Sequence, residues 1–277
     1  LLTVVGSAFA LRKFPDMELK MRKTLRMFLF CGISTTVWGV LFGSYFGDAI
    51  PVIAQTLFHT EITVPALWFE PLDDPMRLLI FSFGVGVAHL FTGLGVQFYQ
   101  LAKQKKYADA LYDVVFWYLL VGGLIVVLLS TEIFQNIAEL PFVVPGPVAA
   151  VAGVLAGIGA VGILFTAGRE SRNPVKRFLK GLYGLYGVSS YLSDILSYSR
   201  LMALMLAGSV IAQVFNTLGA IPGNVVIFLV ISLAGNALNF ALNLLGCYVH
   251  DLRLQCLEYF GKFYQDGGKP FRPMAVN

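Results

Sequence analysis

The residue with the most demanding chemistry in this sequence is Arg200, which lies in the apolar stretch LSYSRLMALML (196–206). A guanidinium keeps its proton at every accessible pH. At the centre of a membrane-spanning helix an arginine costs about 2.5–3.5 kcal/mol on insertion scales. Two explanations stay open on this evidence: a buried pair with Asp194 or another carboxylate, or a role in moving charge.

A guanidinium held beside a carboxylate changes what that carboxylate binds. It offers a bidentate, charge-assisted partner, which stabilises the bare carboxylate and lowers its affinity for a proton or a metal cation. A carboxylate that carries an ion would therefore release the ion near Arg200. Because the chain has no suitable mid-membrane carboxylate of its own apart from Asp194, we expect the ion-carrying carboxylate to belong to a partner.

Polar side chains recur at helical spacing on either side of this arginine. One set follows steps of 3, 4 and 3, with Asp194 beside it and two amides farther along: Ser190, Ser193, Ser197, Arg200, then Gln213 and Asn216. A second set follows steps of 3, 4, 3, 4 and 3: Asn236, Asn239, Asn243, Gly246, His250 and Arg253. Such spacing predicts one polar face on each helix.

Two interpretations of these faces stay open. Amides and small residues hydrogen-bond helices together at about 0.6 kcal/mol per bond. Alternatively, they line two aqueous access paths that do not join. Arg253 has its own alternatives, since a long cation near Asp251 and Glu258 can also extend to the membrane interface. His250 shares the predicted face of Arg253, whereas His89, alone among apolar residues, is interpreted as a structural histidine.

The composition explains why helices in a membrane must position these residues. The 277-residue chain is 57% hydrophobic and 13% charged, whereas a soluble domain carries about 25% charge. Its apolar runs are continuous rather than alternating, which indicates helices and excludes a barrel. The expected fold class is all-α: a polytopic transmembrane helical bundle with a pair of long, strongly tilted C-terminal helices.

Seven apolar segments are predicted, at about 1–11, 27–47, 78–101, 111–130, 146–168, 181–218 and 224–260. The first is too short to cross about 30 Å of hydrocarbon, so we expect it to begin upstream of Leu1, in a chain that is a fragment of something longer. The last two are longer than one crossing requires, which predicts a steep tilt or extension into the cytoplasm. The turn 217–223 makes them an antiparallel hairpin.

The positive charges fall between alternate segments. Of the 20 Lys and Arg residues, 18 lie in the connections 12–26, 103–106 and 169–180 or in the C-terminal tail, and the others are Arg77 and Arg200. The positive-inside rule places those connections and the C-terminus in the cytoplasm. The same rule accounts for the basic loops without any nucleic acid. No P-loop, cofactor site or metal-ligand spacing is evident.

Three stretches resemble the membrane domain of the stator subunit of V-type ATPases (vacuolar and archaeal or bacterial A/V-type), called subunit a or subunit I. They are VWGVLFGSYFGD (37–48), YLSDILSYSRLMALMLAGSVIA (191–212) and HDLRLQCLEYFGKFYQDGGKPFRPM (250–274). The resemblance covers essentially the whole chain, without the family's cytoplasmic N-terminal domain or first membrane helix. The LSYSRLMAL version is similar to bacterial members, which implies a bacterial plasma membrane.

The resemblance implies a non-catalytic subunit of a rotary pump. The family's two essential arginines match Arg200 and Arg253, which would act on the membrane carboxylate of a rotating proteolipid ring. Further expected partners are the peripheral stalk, the soluble ATPase sector and the lipid bilayer. The transported ion would be Na⁺ or H⁺, passing through half-channels lined by the polar residues named above.

Two positions depart from the eukaryotic pattern of the family. Gly208 stands where eukaryotic members carry a His, and Asn243 stands where they carry a Glu. A path lined by amides favours Na⁺ as a candidate, because amide oxygens are hard ligands. The rival interpretation from another functional class is a self-contained secondary transporter, which predicts inverted repeats and broken midplane helices. A purely structural membrane anchor leaves Arg200 unexplained.

Overall fold

The computed structural model describes residues 2–14, 18–43, 48–58, 60, 66–132, 144–168 and 174–264. Within these ranges the chain forms helices and no β-strand. The helices are α1 Leu2–Lys13, α2 Leu19–Leu41, α3 Ala49–Phe58, α4 Pro75–Lys103, α5 Tyr107–Ser130, α6 Gly146–Thr166, α7 Pro174–Ser197, α8 Ser199–Ala220 and α9 Val225–Gly246. Within α5, Leu111–Val115 is a π-helical stretch. After α9 come two π turns, the first at Cys247–Asp251 and the second at Leu254–Tyr259, and a last helical turn at Phe260–Phe263.

Six helical stretches are long and apolar enough to cross a membrane. They are Leu19–Leu41, Pro75–Lys103, Tyr107–Ser130, Gly146–Thr166, Val175–Ala220 and Val225–Phe263. The last two have 46 and 39 residues, where about 20 suffice for one crossing. The predicted all-α, polytopic class is confirmed.

One helix was not predicted. The connection between the second and third apolar segments contains α3, a helix of 10 residues. Its sequence AIPVIAQTLF is apolar but far shorter than a membrane crossing needs, so hydropathy alone assigned it to the connection 48–77. The apolar segment 1–11 forms α1, whose 12 residues are likewise shorter than one crossing.

The two long C-terminal segments are less regular than predicted. A tight turn at Tyr198 separates α7 from α8: the Tyr198 N–H donates to Ile195 O (3.1 Å), and the Leu201 N–H donates to Tyr198 O (3.0 Å). Both bonds span three residues rather than the four of an α-helix. The last segment contains the two π turns. Both segments are helical over 46 and 39 residues, but these local changes of hydrogen-bond register were not predicted, since apolar composition does not report register.

The chain forms two compact units. In the first, which includes 203–245, α8 and α9 pack as the antiparallel hairpin that the turn predicts. Gly223 adopts a positive φ of 61° in this turn, a backbone conformation that favours glycine. The close approach of α8 and α9 requires a second glycine, because a Cβ at Gly235 of α9 would lie 2.2 Å from Cγ of Phe215 of α8.

The second unit includes 76–202 and the chain from Gly246 onward. Its buried core is Leu90, Leu94 and Val114, against which Tyr118, Tyr191 and Ile195 pack. These residues bring α4, α5 and α7 together. The α6–α7 junction is fixed by Arg177, whose Nε and Nη2 donate to Phe165 O at 3.1 and 2.9 Å, satisfying a carbonyl in the last turn of α6.

Candidate functional site

Arg200 lies in the first turn of α8 and is half-buried. Its Nη1 atom is buried without a hydrogen-bond partner. Among the described residues, the guanidinium forms neither a hydrogen bond nor an ion pair. A buried donor left unsatisfied costs about 1–3 kcal/mol, and more when it is charged. The arginine therefore presents an unsatisfied cation.

Asp194 does not supply the missing partner. Its Oδ2 accepts from Lys262 Nζ at 2.5 Å. The same Nζ lies 4.0 Å from the centroid of the Tyr191 ring, and Tyr191 stacks on Trp117 with a centroid separation of 4.6 Å. The explanation that pairs Arg200 with Asp194 is therefore wrong, because Lys262 takes that carboxylate.

The three serines predicted to share a face with Arg200 lie on α7. Ser190 and Ser193 are exposed, and the half-buried Ser197 donates to Ser193 O at 3.0 Å. The turn at Tyr198 separates these serines from Arg200. The steps of 3, 4 and 3 therefore do not describe one uninterrupted helical face.

A hydrogen-bonded line of polar side chains runs through the first unit. Asn216 is fully buried, and its Nδ2 donates to Asp48 Oδ1 at 3.1 Å. Ser232 Oγ donates to Asn216 Oδ1 at 2.9 Å. Asn236 Nδ2 in turn donates to Ser232 O at 2.8 Å. This line connects α8 and α9 with Asp48, which precedes α3.

A second amide group lies farther along the same hairpin. Asn239 Nδ2 donates to Gly208 O at 2.9 Å, and Asn243 Nδ2 donates to Asn239 Oδ1 at 2.9 Å. A Cβ at Gly208 would lie 2.9 Å from Asn243 Nδ2. The two positions that depart from the eukaryotic pattern are therefore in contact. Gln213 is exposed on α8.

The continuation of α9 positions the last two predicted residues in the second unit. His250 is half-buried within the first π turn, and Arg253 is exposed between the two π turns. A π turn closes over five residues rather than four, so the α-helical spacing on which the predicted seam rests is interrupted at Cys247. The single seam from Asn236 to Arg253 stays a prediction.

Two carboxylates near Arg253 in sequence carry buried, unpartnered oxygens. These atoms are Oδ1 of Asp251 and Oε2 of Glu258, and Glu258 is only 5% exposed. Neither residue forms an ion pair with Arg253 in the described part of the chain. Counting only partners in the described ranges, the second unit thus holds an unsatisfied guanidinium and two incompletely satisfied carboxylates.

Sequence reasoning missed several polar partners in these networks: Asp48, Ser232, Lys262 and the pair His89–Tyr198. Helical spacing finds residues that share one helix, whereas these contacts join residues far apart in the sequence. Ser232 had a signal, since it precedes Asn236 by four residues and extends the same face. No sequence pattern pointed to Lys262 apart from its charge.

Comparison with known proteins identifies relatives over most of the chain. The A-type ATP synthase subunit I of Methanocaldococcus jannaschii is 28% identical over 305 aligned positions, which cover 100% of this chain and 42% of that protein. The subunit of the same name in Pyrococcus horikoshii is 30% identical and covers 92% of this chain and 36% of that protein. The chain belongs to the subunit I family of A-type and V-type ATP synthases.

Bacterial members of the subunit I family match as well. The V-type ATP synthase subunit I of Borreliella burgdorferi is 26% identical over 89% of this chain and 40% of that protein. The chain thus spans less than half the length of the curated relatives it matches. No protein-family model matches the chain. Together with the six stretches able to cross a membrane, membership of the subunit I family makes this chain an integral membrane protein.

Proposed function

We propose that this chain is the stator subunit in the membrane sector of a rotary ATPase. In this proposal the chain provides two ion half-channels and the arginines that make a partner's carboxylate release its ion. ATP hydrolysis in a separate soluble sector drives Na⁺ or H⁺ across the membrane. The partners are a proteolipid rotor ring that carries a membrane carboxylate, a peripheral stalk and the soluble sector.

The observation that carries the proposal is the buried Nη1 of Arg200, which lacks a partner among the described residues. An unsatisfied cation in an apolar helix is costly unless an anion arrives from outside the chain. A ring carboxylate is an anion of the required kind. When it passes Arg200, a bidentate pair forms and the carboxylate loses its affinity for the transported ion.

The two half-channels would use the two groups of polar side chains. The line from Asp48 through Asn216 to Asn236, continued by Asn239 and Asn243, would form the outer path, with Gln213 near it. The inner path would use Ser190, Ser193, Asp194, Ser197 and His250. Arg253 would be the second arginine beside this inner path, where its exposed side chain is free to meet a partner's carboxylate.

The chemistry of the outer path favours Na⁺ over H⁺. Its side chains are mostly amides and hydroxyls, whose oxygens are hard ligands suited to a hard cation. Gly208 and Asn243 meet where eukaryotic members of the family carry His and Glu, so this contact lacks a titratable group. The ion is nevertheless selected largely by the carboxylate site on the ring.

The orientation of the chain in the membrane follows from the charge of the connections between its apolar segments. Basic residues concentrate at 12–26, 103–106 and 169–180 and in the C-terminal tail. We place these parts in the cytoplasm, because cytoplasmic loops carry an excess of Lys and Arg. The membrane would be a bacterial plasma membrane.

Purification of the complex through a tag on this chain tests the proposal. A small proteolipid should co-purify, and vesicles containing the complex should accumulate ²²Na⁺ or protons only when ATP is supplied. If the chain purifies alone and moves an ion without ATP, it is a secondary transporter and the stator proposal is wrong.

A further inference from the structure

His89 of α4 forms a contact with the turn that precedes Arg200. Its Nδ1 lies 2.6 Å from the hydroxyl oxygen of Tyr198, and the two rings meet edge to face. The His89 ring is also held by Tyr259, on which it stacks with a centroid separation of 4.2 Å and an interplanar angle of 14°. His89 thus connects α4 to the α7–α8 turn and to the second π turn.

Tyr198 has little freedom to move. Its side chain is 3% exposed, and it packs against the backbone of α4 at Gly86, where a Cβ would lie 2.7 Å from Cγ of the tyrosine. Tyr198 is also the residue at which α7 ends and α8 begins. A change in the position of this ring therefore changes the turn itself.

Arg200 lies two residues after Tyr198, in the first turn of α8. The direction of its side chain depends on the backbone conformation of the turn at Tyr198, because Arg200 follows it within one helical turn. No described side chain holds the guanidinium directly. Its placement is consequently set through the backbone, and the backbone is held at Tyr198.

We propose that His89 is a positioning residue for Arg200. The hydrogen bond between His89 and Tyr198, supported by the stack on Tyr259, fixes the α7–α8 turn and so holds the guanidinium where a carboxylate on a partner can reach it. This proposal rests on the proposed stator function. It predicts that loss of the hydrogen bond lowers transport without removing any group that meets the ion.

The test compares variants of the whole complex in vesicles. His89→Leu removes the polar atom, Tyr198→Phe removes only the hydroxyl, and His89→Asn keeps a polar atom close to the position of Nδ1. Thr92→Ala is the matched control, because Thr92 lies one turn away on α4, is exposed and bonds only within its helix, to Ala88 O. The measured quantity is ion uptake per ATP hydrolysed, alongside the yield of assembled complex.

His89→Leu and Tyr198→Phe should each lower uptake per ATP on the order of tenfold, less than the roughly 100-fold that a 1 Å misplacement can cost. ATP hydrolysis and complex yield should stay close to wild type. His89→Asn should restore most of the uptake per ATP. Uptake per ATP in the double variant His89→Leu/Tyr198→Phe should be no lower than in the more impaired single variant, because the two changes remove the same interaction.

Three results would overturn the proposal. If uptake, hydrolysis and yield fall in proportion, His89 supports only folding. If uptake per ATP is unchanged in His89→Leu and Tyr198→Phe while Arg200→Gln abolishes it, the positioning role is wrong and the stator function stands. If Arg200→Gln also transports normally, both proposals are wrong.

Discussion

At the scale of single residues, two cations of the second unit have opposite surroundings. Lys262 meets the carboxylate of Asp194 and the face of Tyr191. Arg200 has a buried nitrogen with no partner among the described residues. A cation that is satisfied within the chain stabilises the fold, whereas an unsatisfied one is available to a partner. Lys262 therefore has a structural role, whereas the surroundings of Arg200 support the proposal that it meets a partner's carboxylate.

The Asp194–Lys262 pair supports a prediction about stability. Lys262→Met leaves the Asp194 carboxylate without its cation, and we expect a loss of about 1.5–3 kcal/mol, the range for hydrogen bonds to charged groups. Asp194→Asn should cost a similar amount by leaving Lys262 unpaired. Thermal melting of the purified complex measures both effects.

The double variant Asp194→Asn/Lys262→Met is the control for this prediction. Its loss of stability should be smaller than the sum of the two single losses, because neither charge is left alone. Strictly additive losses would mean that the two side chains do not interact in the complex.

At the residue scale, the sequence indicated which polar residues are unusual better than it indicated which residues they contact. Arg200 was singled out because a guanidinium in an apolar run is rare; its buried Nη1 has no partner among the described residues, and its functional role stays a proposal. Its suggested partner Asp194 was wrong, since proximity in sequence does not reveal a contact between residues 194 and 262. Asp48 was assigned to an outer connection, yet its carboxylate reaches the buried Asn216.

At the scale of helices, the α8–α9 hairpin depends on two glycines in different ways. A Cβ at Gly235 would meet the ring and Cβ of Phe215 at 2.2 and 2.4 Å, which a packed aromatic side chain cannot relieve cheaply. A Cβ at Gly208 would meet only the amide end of Asn243. The Asn243 side chain is exposed, so its amide has room to rotate away.

These contacts predict opposite effects for two substitutions of the same kind. Gly235→Ala should destabilise the complex by about 1–3 kcal/mol, the usual cost of overpacking. Gly208→Ala should be close to neutral, because the gain in helix propensity of about 1 kcal/mol offsets the displaced amide. Melting temperatures of the two purified variants measure the difference.

A third alanine variant provides the reference for both. Gly157 of α6 has no neighbour within 4 Å of its added Cβ, so Gly157→Ala reports the propensity gain alone. The hairpin packing described above would be contradicted if Gly235→Ala were as stable as Gly157→Ala.

The helices themselves were predicted well where hydropathy determines them. Continuous apolar runs are costly in water and favourable in lipid, so α4, α5 and α6 follow their predicted segments within a few residues. The turn at Tyr198, the π-helical stretch in α5 and the two π turns after α9 were not predicted, because they change hydrogen-bond register without changing composition. The spacing that predicted the long polar faces assumed a regular α-helix across these places.

At the scale of the whole molecule, composition and family resemblance agree with the comparisons. The low charge content predicts a polytopic membrane protein, and three sequence stretches resemble subunit I, the name of the relatives that match most of the chain. The ring, the transported ion and the two half-channels involve partners outside this chain. They remain proposals supported by the unsatisfied Arg200 and the two polar networks.

The most direct measurement of the central claim is ATP-driven ion uptake by vesicles carrying the whole complex with Arg200→Gln or Arg200→Lys, with ²²Na⁺ and protons measured separately. Both variants should assemble with the ring. Arg200→Gln should abolish uptake, and Arg200→Lys should retain little, because an ammonium lacks the bidentate geometry of a guanidinium. Uptake close to wild type in Arg200→Gln would contradict the claim that this arginine makes the partner's carboxylate release its ion.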